Sequence, residues 1–283
     1  MPQIGGEAEA RTVKVPDATL YVEVRGSGPV LLCISGGPTD AGTFTDLAGR
    51  LADSYTVVSY DQRGHSRSAL DGEPTDIPVA LHADDAAAIL RAVGDEPAYV
   101  YGNSGGGTIG LELVARHPEL VGTFVAHEAP VIEVLPDATR WRSEYQAISE
   151  TYRTDGIFPA MEKFGALVEE GGPKYSEEMQ RRQPTQEDQE MMARMAGNFD
   201  LFIAHEIQQI TGYEPDVDAL RNVSTRIVSA AGETSGEQAA RRAAAALAER
   251  LGTAVAYLPG GHGGWGSDPR EFARRLHELL QGG

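Results

Sequence analysis

Residues 98–107 read AYVYGNSGGG, and this short stretch decides the fold. An apolar run leads straight into Gly102-Asn103-Ser104-Gly105-Gly106, and a helical sequence follows. The pattern Gly-x-Ser-x-Gly is typical of a sharp turn between a buried strand and a helix, where a strained serine needs glycines on both sides. Such a turn lifts the Ser104 hydroxyl out of the packed layers and directs the Gly105 amide towards a developing oxyanion. The stretch therefore predicts a nucleophilic serine at the end of a buried strand.

The same letters allow a second interpretation, a dinucleotide-binding turn. The pattern Gly105-x-Gly107-x-x-Gly110 follows a strand, and Glu128 ends the next strand at the distance expected of an acid that binds ribose. A dinucleotide fold normally carries this fingerprint on its first strand, whereas about four strands precede it here. Position therefore favours the nucleophilic serine. The dinucleotide site and a purely structural glycine-rich turn stay open as alternatives.

The composition is that of an acidic chain long enough to bury a large core. Its 283 residues include 24 Lys+Arg and 42 Asp+Glu, which gives a formal net charge of −18 at pH 7. Nucleic acids and anionic membrane surfaces would repel such a chain, so we expect neither as a partner. The length fits one large α/β domain with an insertion, and the sequence leaves the oligomeric state open.

Features of the N-terminus and of cysteine usage point to a cytoplasmic protein. No apolar run follows a basic start in residues 1–20, and no stretch is long enough to span a bilayer. The single cysteine, Cys33, lies inside the apolar run 30–34, where we expect a small buried residue rather than a reactive thiol. An unpaired cysteine suits a reducing compartment.

Strand-like and helical segments alternate on both sides of the turn at Ser104. Strands are predicted at 12–15, 20–25, 30–35, 55–60, 121–127, 225–231 and 254–258, in addition to the strand that leads into the turn. Helices are predicted at 40–52, 78–93, 105–116, 236–251 and 269–280. The first two strands fit an antiparallel pair. The later alternation implies an α/β fold, a mostly parallel central sheet with right-handed crossovers and helices on its faces.

Between residues 134 and 222 this alternation stops, and the chain lacks strand-like runs. Helices are predicted near 137–152, 157–169 and 186–210. The chain is thus divided into a first core part, 1–133, a helical insertion, 134–222, and a second core part, 223–283. Five of the six methionines fall in the insertion: Met161, Met179, Met191, Met192 and Met195. With the insertion's aromatic residues they suggest an adaptable apolar lid over a bulky substrate, or simply the packing between its helices.

In the order of its motifs, the chain resembles the α/β-hydrolase superfamily over nearly all of its length outside the insertion. Four stretches carry this resemblance: SGGP at 35–38, DQRGHSRS at 61–68, GNSGG at 102–106 and PGGHGG at 259–264. The first is similar to the family's oxyanion loop, which implies that the Gly37 amide completes an oxyanion hole with Gly105. Ser35 stands where the family usually has histidine, and Ser66 where glycine is common. The resemblance also implies that the insertion is a helical cap over the active-site mouth.

A serine nucleophile needs a base, and the base needs a carboxylate that orients it. His262 is predicted as the base, because it alone among the seven histidines lies in a glycine-rich loop after a late strand. In the α/β-hydrolase superfamily, which the chain resembles, a glycine commonly ends the strand that follows the insertion, and the acid lies three residues later. Here that glycine is Gly232, and the position of the acid is occupied by Ser235. Glu128 and Glu233 can each replace it. We favour Glu128, a strand-end position at which haloalkane dehalogenases of this family place the acid, and Glu233 remains the competitor.

The remaining histidines are interpreted as structural. His127 is expected in the core, because the strand alternation that exposes Glu128 turns it away. His65 is expected to stay within its own loop, and His205 to lie on a helix surface. No His-Glu-x-x-His motif, cysteine pair or phosphate-binding lysine loop occurs, so we expect no metal and no cofactor.

Together the motifs predict a cofactor-independent serine hydrolase with Ser104, His262 and Glu128 as its triad. It would cleave a small to medium apolar ester, lactone or related acyl compound through an acyl-enzyme. A carbon–carbon bond hydrolase or a perhydrolase on the same triad remains an alternative, as does a non-hydrolytic binding or biosynthetic scaffold, which the serine at 235 motivates. Epoxide or haloalkane hydrolysis is disfavoured, because an aspartyl ester needs a carboxylate in place of Ser104.

Overall fold

A central sheet organises the part of the chain that the computed structural model describes, residues 8–169 and 185–282. Its strands are β1 Glu9–Val15, β2 Ala18–Arg25, β3 Val30–Ile34, β4 Thr56–Tyr60, β5 Ala69–Leu70, β6 Ala98–Asn103, β7 Val121–His127, β8 Arg226–Gly232 and β9 Ala256–Leu258. They lie in the order β1-β2-β4-β3-β6-β7-β8-β9, with β5 beside β2. β2 pairs antiparallel with β1 and β4, and all pairs from β4 to β9 are parallel. The predicted mostly parallel sheet and its antiparallel first pair are confirmed.

Helices cover both faces of this sheet. They are α1 Thr45–Leu51, α2 Val79–Val93, α3 Gly105–Arg116, α4 Ala138–Asp155, α5 Ile157–Glu169, α6 Gln186–Gly197, α7 Phe199–Leu201, α8 Ile207–Thr211, α9 Val217–Asn222, α10 Ala239–Leu251, α11 Gly264–Ser267 and α12 Pro269–Gln281. Apolar side chains of α2, α3 and α10 pack with one sheet face, and those of α1 and α12 with the other. Strand β3 contributes Leu32 to the first cluster and Leu31 to the second, which explains its unbroken apolar run.

Two further observations concern sequence features singled out above. Cys33 is buried in β3, as expected, and burial raises the pKa of its thiol to about 12. Among the described residues, no helix is both long enough and apolar enough to cross a bilayer.

The helices between β7 and β8 depart from the prediction at 186–210, where one continuous helix was expected. The chain instead breaks after α6 and passes through α7, a π-helical turn at Phe202–Glu206 and α8. Asn198 lies at the break and is buried, and its side chain forms hydrogen bonds to the core. Its Nδ2 donates to the Pro38 carbonyl at 3.2 Å, and its Oδ1 accepts from the Ser66 amide at 2.7 Å. Helical periodicity cannot reveal these long-range bonds. Met179 lies outside the described residues.

Helix α10 also begins later than the predicted residue 236. Gly236 has a φ of +60°, and Gln238 has a ψ of 146°, so neither continues a right-handed helix. The consequence is a turn after β8 that brings Gln238 to the start of α10.

The expectation that His65 stays within its own loop is wrong. Its Nε2 lies 2.9 Å from Glu206 Oε2, and both side chains are buried. Burial opposes charge on the imidazole, but the Glu206 carboxylate outweighs it and raises the pKa of His65. Burial likewise raises the pKa of Glu206, yet His65 and the neighbouring His82 lower it to about 2. His65 and Glu206 therefore form a buried ion pair between core and insertion.

Replacing Glu206 by glutamine is expected to destabilise the protein by about 3 kcal/mol, because one partner of a buried ion pair is left alone. His65 stabilises the fold below its unfolded pKa of 6.5, and this contribution is lost as pH rises through its raised folded pKa. Glu206 stabilises the fold above pH 4.5, and its contribution is lost as pH falls towards 2. The destabilisation caused by Glu206→Gln should thus be largest between pH 4.5 and 6.5.

Urea unfolding at pH 5.5 and at pH 9 measures this difference. Glu214→Gln, an exposed site in the same insertion, is the matched control and should leave stability unchanged. Equal destabilisation by Glu206→Gln at both pH values would contradict the charged pair.

Candidate active site

Ser104 occupies the turn between β6 and α3 with a φ of 55° and a ψ of −126°, a conformation that side chains rarely adopt. Steric constraints explain why glycines flank Ser104. A Cβ on Gly102 would lie 2.3 Å from the Gly106 carbonyl oxygen, and one on Gly106 would lie 2.0 Å from the Ile34 carbonyl oxygen. The Ser104 amide donates to the His127 carbonyl at 2.9 Å. Close strand-to-helix packing therefore holds Ser104 in this strained position, where it lines a cleft.

The two predicted oxyanion donors, Gly37 and Gly105, come together beside Ser104. Gly37 has a φ of +61°, which favours glycine, and a Cβ on Gly105 would lie 3.6 Å from the Gly37 nitrogen. Gly36 fits against this site only because it lacks a side chain, since its Cβ would lie 2.4 Å from the Gly105 nitrogen. Gly105 begins α3, and the first amides of a helix have no partner within it. Both glycines line the cleft.

His262 and Glu128 are in direct contact. His262 Nδ1 lies 2.7 Å from Glu128 Oε2, and the Gly232 amide donates to Glu128 Oε1, also at 2.7 Å. Glu128 has a φ of 50°, and its side chain is buried. Glu233, the competing acid, is exposed. The structure thus brings the carboxylate at the end of β7, and not Glu233, to His262.

The charge state of Glu128 follows from its surroundings. Burial raises the pKa of the carboxyl group, but the hydrogen bond from His262 and the nearby His127 outweigh it and lower the pKa to about 2. Ser235, at the position where the resembling family usually has the acid, is buried and also lowers the pKa of Glu128. An ionised Glu128 accepts a hydrogen bond from His262 Nδ1–H, which leaves the Nε2 lone pair free to accept a proton.

His127 lies in the core, as predicted, and remains uncharged. Its Nδ1 accepts hydrogen bonds from the Tyr101 hydroxyl at 3.0 Å and from Asn103 Nδ2 at 3.2 Å. Asn103 Nδ2 can only donate, so the His127 proton resides on Nε2. Burial lowers the pKa of His127 to about 4. A neutral imidazole therefore packs behind the contact between His262 and Glu128.

This neutral histidine predicts sensitivity to acid. The unfolded chain binds a proton at His127 below pH 6.5, whereas the folded chain resists until about pH 4, so stability falls across this window. When the pH falls from 7 to 4.5, the free energy of unfolding of the wild type should decrease by about 2 kcal/mol more than that of His127→Gln, as measured by urea unfolding. The stability that the ionised Glu128 contributes is lost only at lower pH, below 4.5. His205→Gln, a partly exposed site, is the control, and an identical acid loss in wild type and His127→Gln would refute the expectation.

A cleft that is partly open to solvent lies between the core and the insertion at Ser104. Its apolar wall comes from the insertion: Tyr145, Phe164, Leu167, Val168, Phe202, Ile207 and Ile210. The idea of a methionine-rich lid is not supported, because none of the described methionines lines the cleft, and Met192 is 48% exposed. Aromatic and aliphatic side chains define its apolar character instead.

Several residues of the site carry no recognisable signal in the sequence. Asn103 Nδ2 also donates to the His262 carbonyl at 3.1 Å and so ties the histidine loop to the turn at Ser104. Trp265 packs edge-on against His127 and Phe44 and fixes the other end of that loop. Gln238 reaches the cleft from the turn before α10. Asn103 and Trp265 act through contacts between segments that are distant in the chain.

The dinucleotide interpretation loses its two supports. A Cβ on Gly110 would lie 2.3 Å from the Phe124 ring, and one on Gly107 would lie 2.9 Å from the Ala129 side chain, so both glycines serve helix–sheet packing. The Glu128 carboxylate is engaged by His262 and Gly232 rather than free for a ribose. Among the described residues, no group of three His, Cys, Asp or Glu side chains is placed to hold a metal ion.

Comparison with known proteins identifies the family of the chain. A family model described as alpha/beta hydrolase fold matches residues 29–200, and the chain belongs to this family. The chain is 36% identical over 278 residues to the uncharacterized hydrolase YraK of Bacillus subtilis (strain 168), covering 95% of each chain.

Solved structures show the same fold at low sequence identity. A thermophilic esterase from Thermogutta terrifontis superposes with a TM-score of 0.72 at 17% identity, covering 98% of each chain. The enol-lactonase from Burkholderia xenovorans LB400 also has a TM-score of 0.72, at 16% identity, covering 96% of this chain and all of that one. The family and its named relatives support a hydrolase.

Proposed function

We propose that the protein is a serine hydrolase that cleaves an ester, lactone or related acyl bond through an acyl-enzyme. The observation that carries the proposal is the 2.7 Å contact between His262 Nδ1 and the buried, ionised Glu128 in a cleft that Ser104 also lines. A strained serine and an imidazole that line one cleft, with a buried carboxylate bonded to the imidazole, are the parts that nucleophilic acyl transfer needs.

In the proposed reaction, Ser104 Oγ attacks the scissile carbonyl carbon while His262 Nε2 takes the hydroxyl proton. Glu128 holds the resulting imidazolium, and the amides of Gly37 and Gly105 bind the oxyanion. When the oxyanion collapses, the bond to the leaving group breaks, and His262 gives it the proton. Water then attacks the acyl-enzyme with His262 again as base, which releases the acid and restores Ser104.

The walls of the cleft favour a small to medium apolar substrate. Its lining residues in the described part of the chain include no Asp, Glu, Lys or Arg, and most are aliphatic or aromatic. The esterase and the lactonase among the structural neighbours are consistent with such chemistry. We place the protein in the cytoplasm, on the basis of its buried, unpaired Cys33, with a small molecule as its partner rather than nucleic acid or membrane.

Two alternatives share this machinery or its fold. A carbon–carbon bond hydrolase or a perhydrolase would use the same three residues. The serine at 235 favours a non-hydrolytic scaffold only if His262 lacks a carboxylate, and Glu128 contacts His262 from the end of β7.

Hydrolysis of p-nitrophenyl acetate and of p-nitrophenyl hexanoate tests the proposal, with fluoroacetate and styrene oxide as comparison substrates. We expect turnover of the esters and none of the comparison substrates, because the latter need a carboxylate nucleophile at position 104. Turnover of fluoroacetate or styrene oxide without ester hydrolysis would overturn the proposal.

A further inference from the structure

One part of the cleft wall is polar, at Gln238 and the beginning of α10. Gln238 lines the cleft, its side chain is only 6% exposed, and its Nε2 has no hydrogen-bond partner among the described residues. A buried amide donor without a partner is unfavourable, and native proteins rarely keep one without a functional reason. Gln238 is not part of the proposed triad or oxyanion hole.

The beginning of α10 forms the rest of this polar part. Ala239 and Ala240, its first two residues, also line the cleft, and the Gln238 side chain does not cap the helix. The first helical hydrogen bond of α10 runs from the Arg242 amide to the Gln238 carbonyl, four residues earlier. The amides of α10 before Arg242 therefore lack acceptors within the helix. The N-terminus of this 13-residue helix carries a partial positive charge that favours an electron-rich oxygen.

We propose that this polar part of the wall, formed by Gln238 and the first turn of α10, binds a second carbonyl oxygen of the substrate. The inference rests on the proposed function and narrows it: the substrate is an ester or lactone whose acyl part bears a ketone or amide carbonyl. That oxygen accepts a hydrogen bond from Gln238 Nε2, while the apolar wall holds the intervening carbons.

The second oxygen is neutral rather than a carboxylate. Within residues 8–169 and 185–282, no lysine or arginine lines the cleft, and the ionised Glu128 lies behind His262. A full negative charge would enter an apolar space with only partial charges to compensate it. A carbonyl oxygen needs only the hydrogen bond that Gln238 leaves unused.

The experiment uses p-nitrophenyl esters in matched pairs. In one member of each pair a ketone is moved stepwise along the acyl chain, and in the other the chain is alkyl and of equal length. At one position of the ketone, the wild type should prefer the keto-ester in kcat/KM by about tenfold, the worth of a single well-placed hydrogen bond. Gln238→Leu should remove this preference. Gln186→Leu, the same substitution on the insertion surface, should keep it.

The outcomes separate this inference from the proposed function. A wild type that hydrolyses alkyl esters but shows no preference at any ketone position, or a preference that Gln238→Leu retains, overturns the inference alone. So does a carboxyl-terminated ester that outperforms its keto counterpart. Absence of any ester hydrolysis overturns the proposed function and the inference with it.

A thermal measurement excludes a merely structural role for Gln238. If the Gln238 amide is unpaired in the free enzyme, Gln238→Leu removes an unsatisfied buried donor. The Tm should then stay unchanged or rise. A lower Tm with an equal loss of activity on both members of a pair would show that Gln238 supports the fold instead.

Discussion

Ser104→Ala is expected to lower kcat for p-nitrophenyl ester hydrolysis by at least about a thousandfold, the scale on which loss of a serine nucleophile acts. The alanine lacks the oxygen that forms the acyl-enzyme, while the oxyanion amides remain. The folded structure should persist, because the change removes one oxygen atom from the lining of a cleft. Steady-state rates, with circular dichroism as the check of folding, measure the effect.

Ser143→Ala is the matched control, since Ser143 is exposed on α4 and far in sequence from the turn at Ser104. It should retain wild-type rates. A Ser104→Ala protein that keeps a tenth of the activity would show that hydrolysis does not pass through this serine.

Glu128→Gln is expected to lower kcat by about 10³- to 10⁴-fold, because an amide neither stabilises the imidazolium nor fixes the required tautomer of His262. The remaining side-chain oxygen can still accept from the Gly232 amide, so the loss should be mainly catalytic. Glu233→Gln makes the same chemical change one residue after Gly232 at an exposed position and should leave kcat within about twofold.

The two glutamate variants distinguish the competing acids. If Glu233→Gln lost activity while Glu128→Gln kept it, the carboxylate that serves His262 during turnover would differ from the one that contacts it in the structure.

The turn at Ser104 was predictable because its chemistry is local. Gly-x-Ser-x-Gly after an apolar run encodes strand, turn and helix within ten residues, and the alternation around it encodes the parallel sheet. The position of His262 followed from its glycine-rich loop. These features depend on neighbours in the chain, so the sequence displays them.

The choice of acid was harder, because it depends on contact between strand ends. Glu128 follows β7, yet its carboxylate reaches the Gly232 amide at the end of β8, close to the place from which Glu233 would have come. Two adjacent parallel strands end at one edge of the sheet, so the sequence alone leaves both carboxylates as candidates.

The contacts between the insertion and the core could not be predicted at all. His65 pairs with Glu206 across 141 positions of sequence, and Asn198 binds the loop at Ser66 across 132. Ser66 itself adopts a φ of 49° where glycine is common in the family, and its amide donates to Asn198 Oδ1. Such pairs have no periodicity and no motif, and only the folded arrangement brings them together.

During turnover, an acyl group is expected to reside on Ser104. To test this, enzyme is mixed with p-nitrophenyl hexanoate, quenched in acid within the first turnover and analysed by intact-mass spectrometry and, after digestion, by peptide mapping. We expect a hexanoyl adduct on the peptide that contains Ser104 and none in Ser104→Ala. Full hydrolytic activity with no adduct on Ser104, or an adduct on another residue, would contradict it.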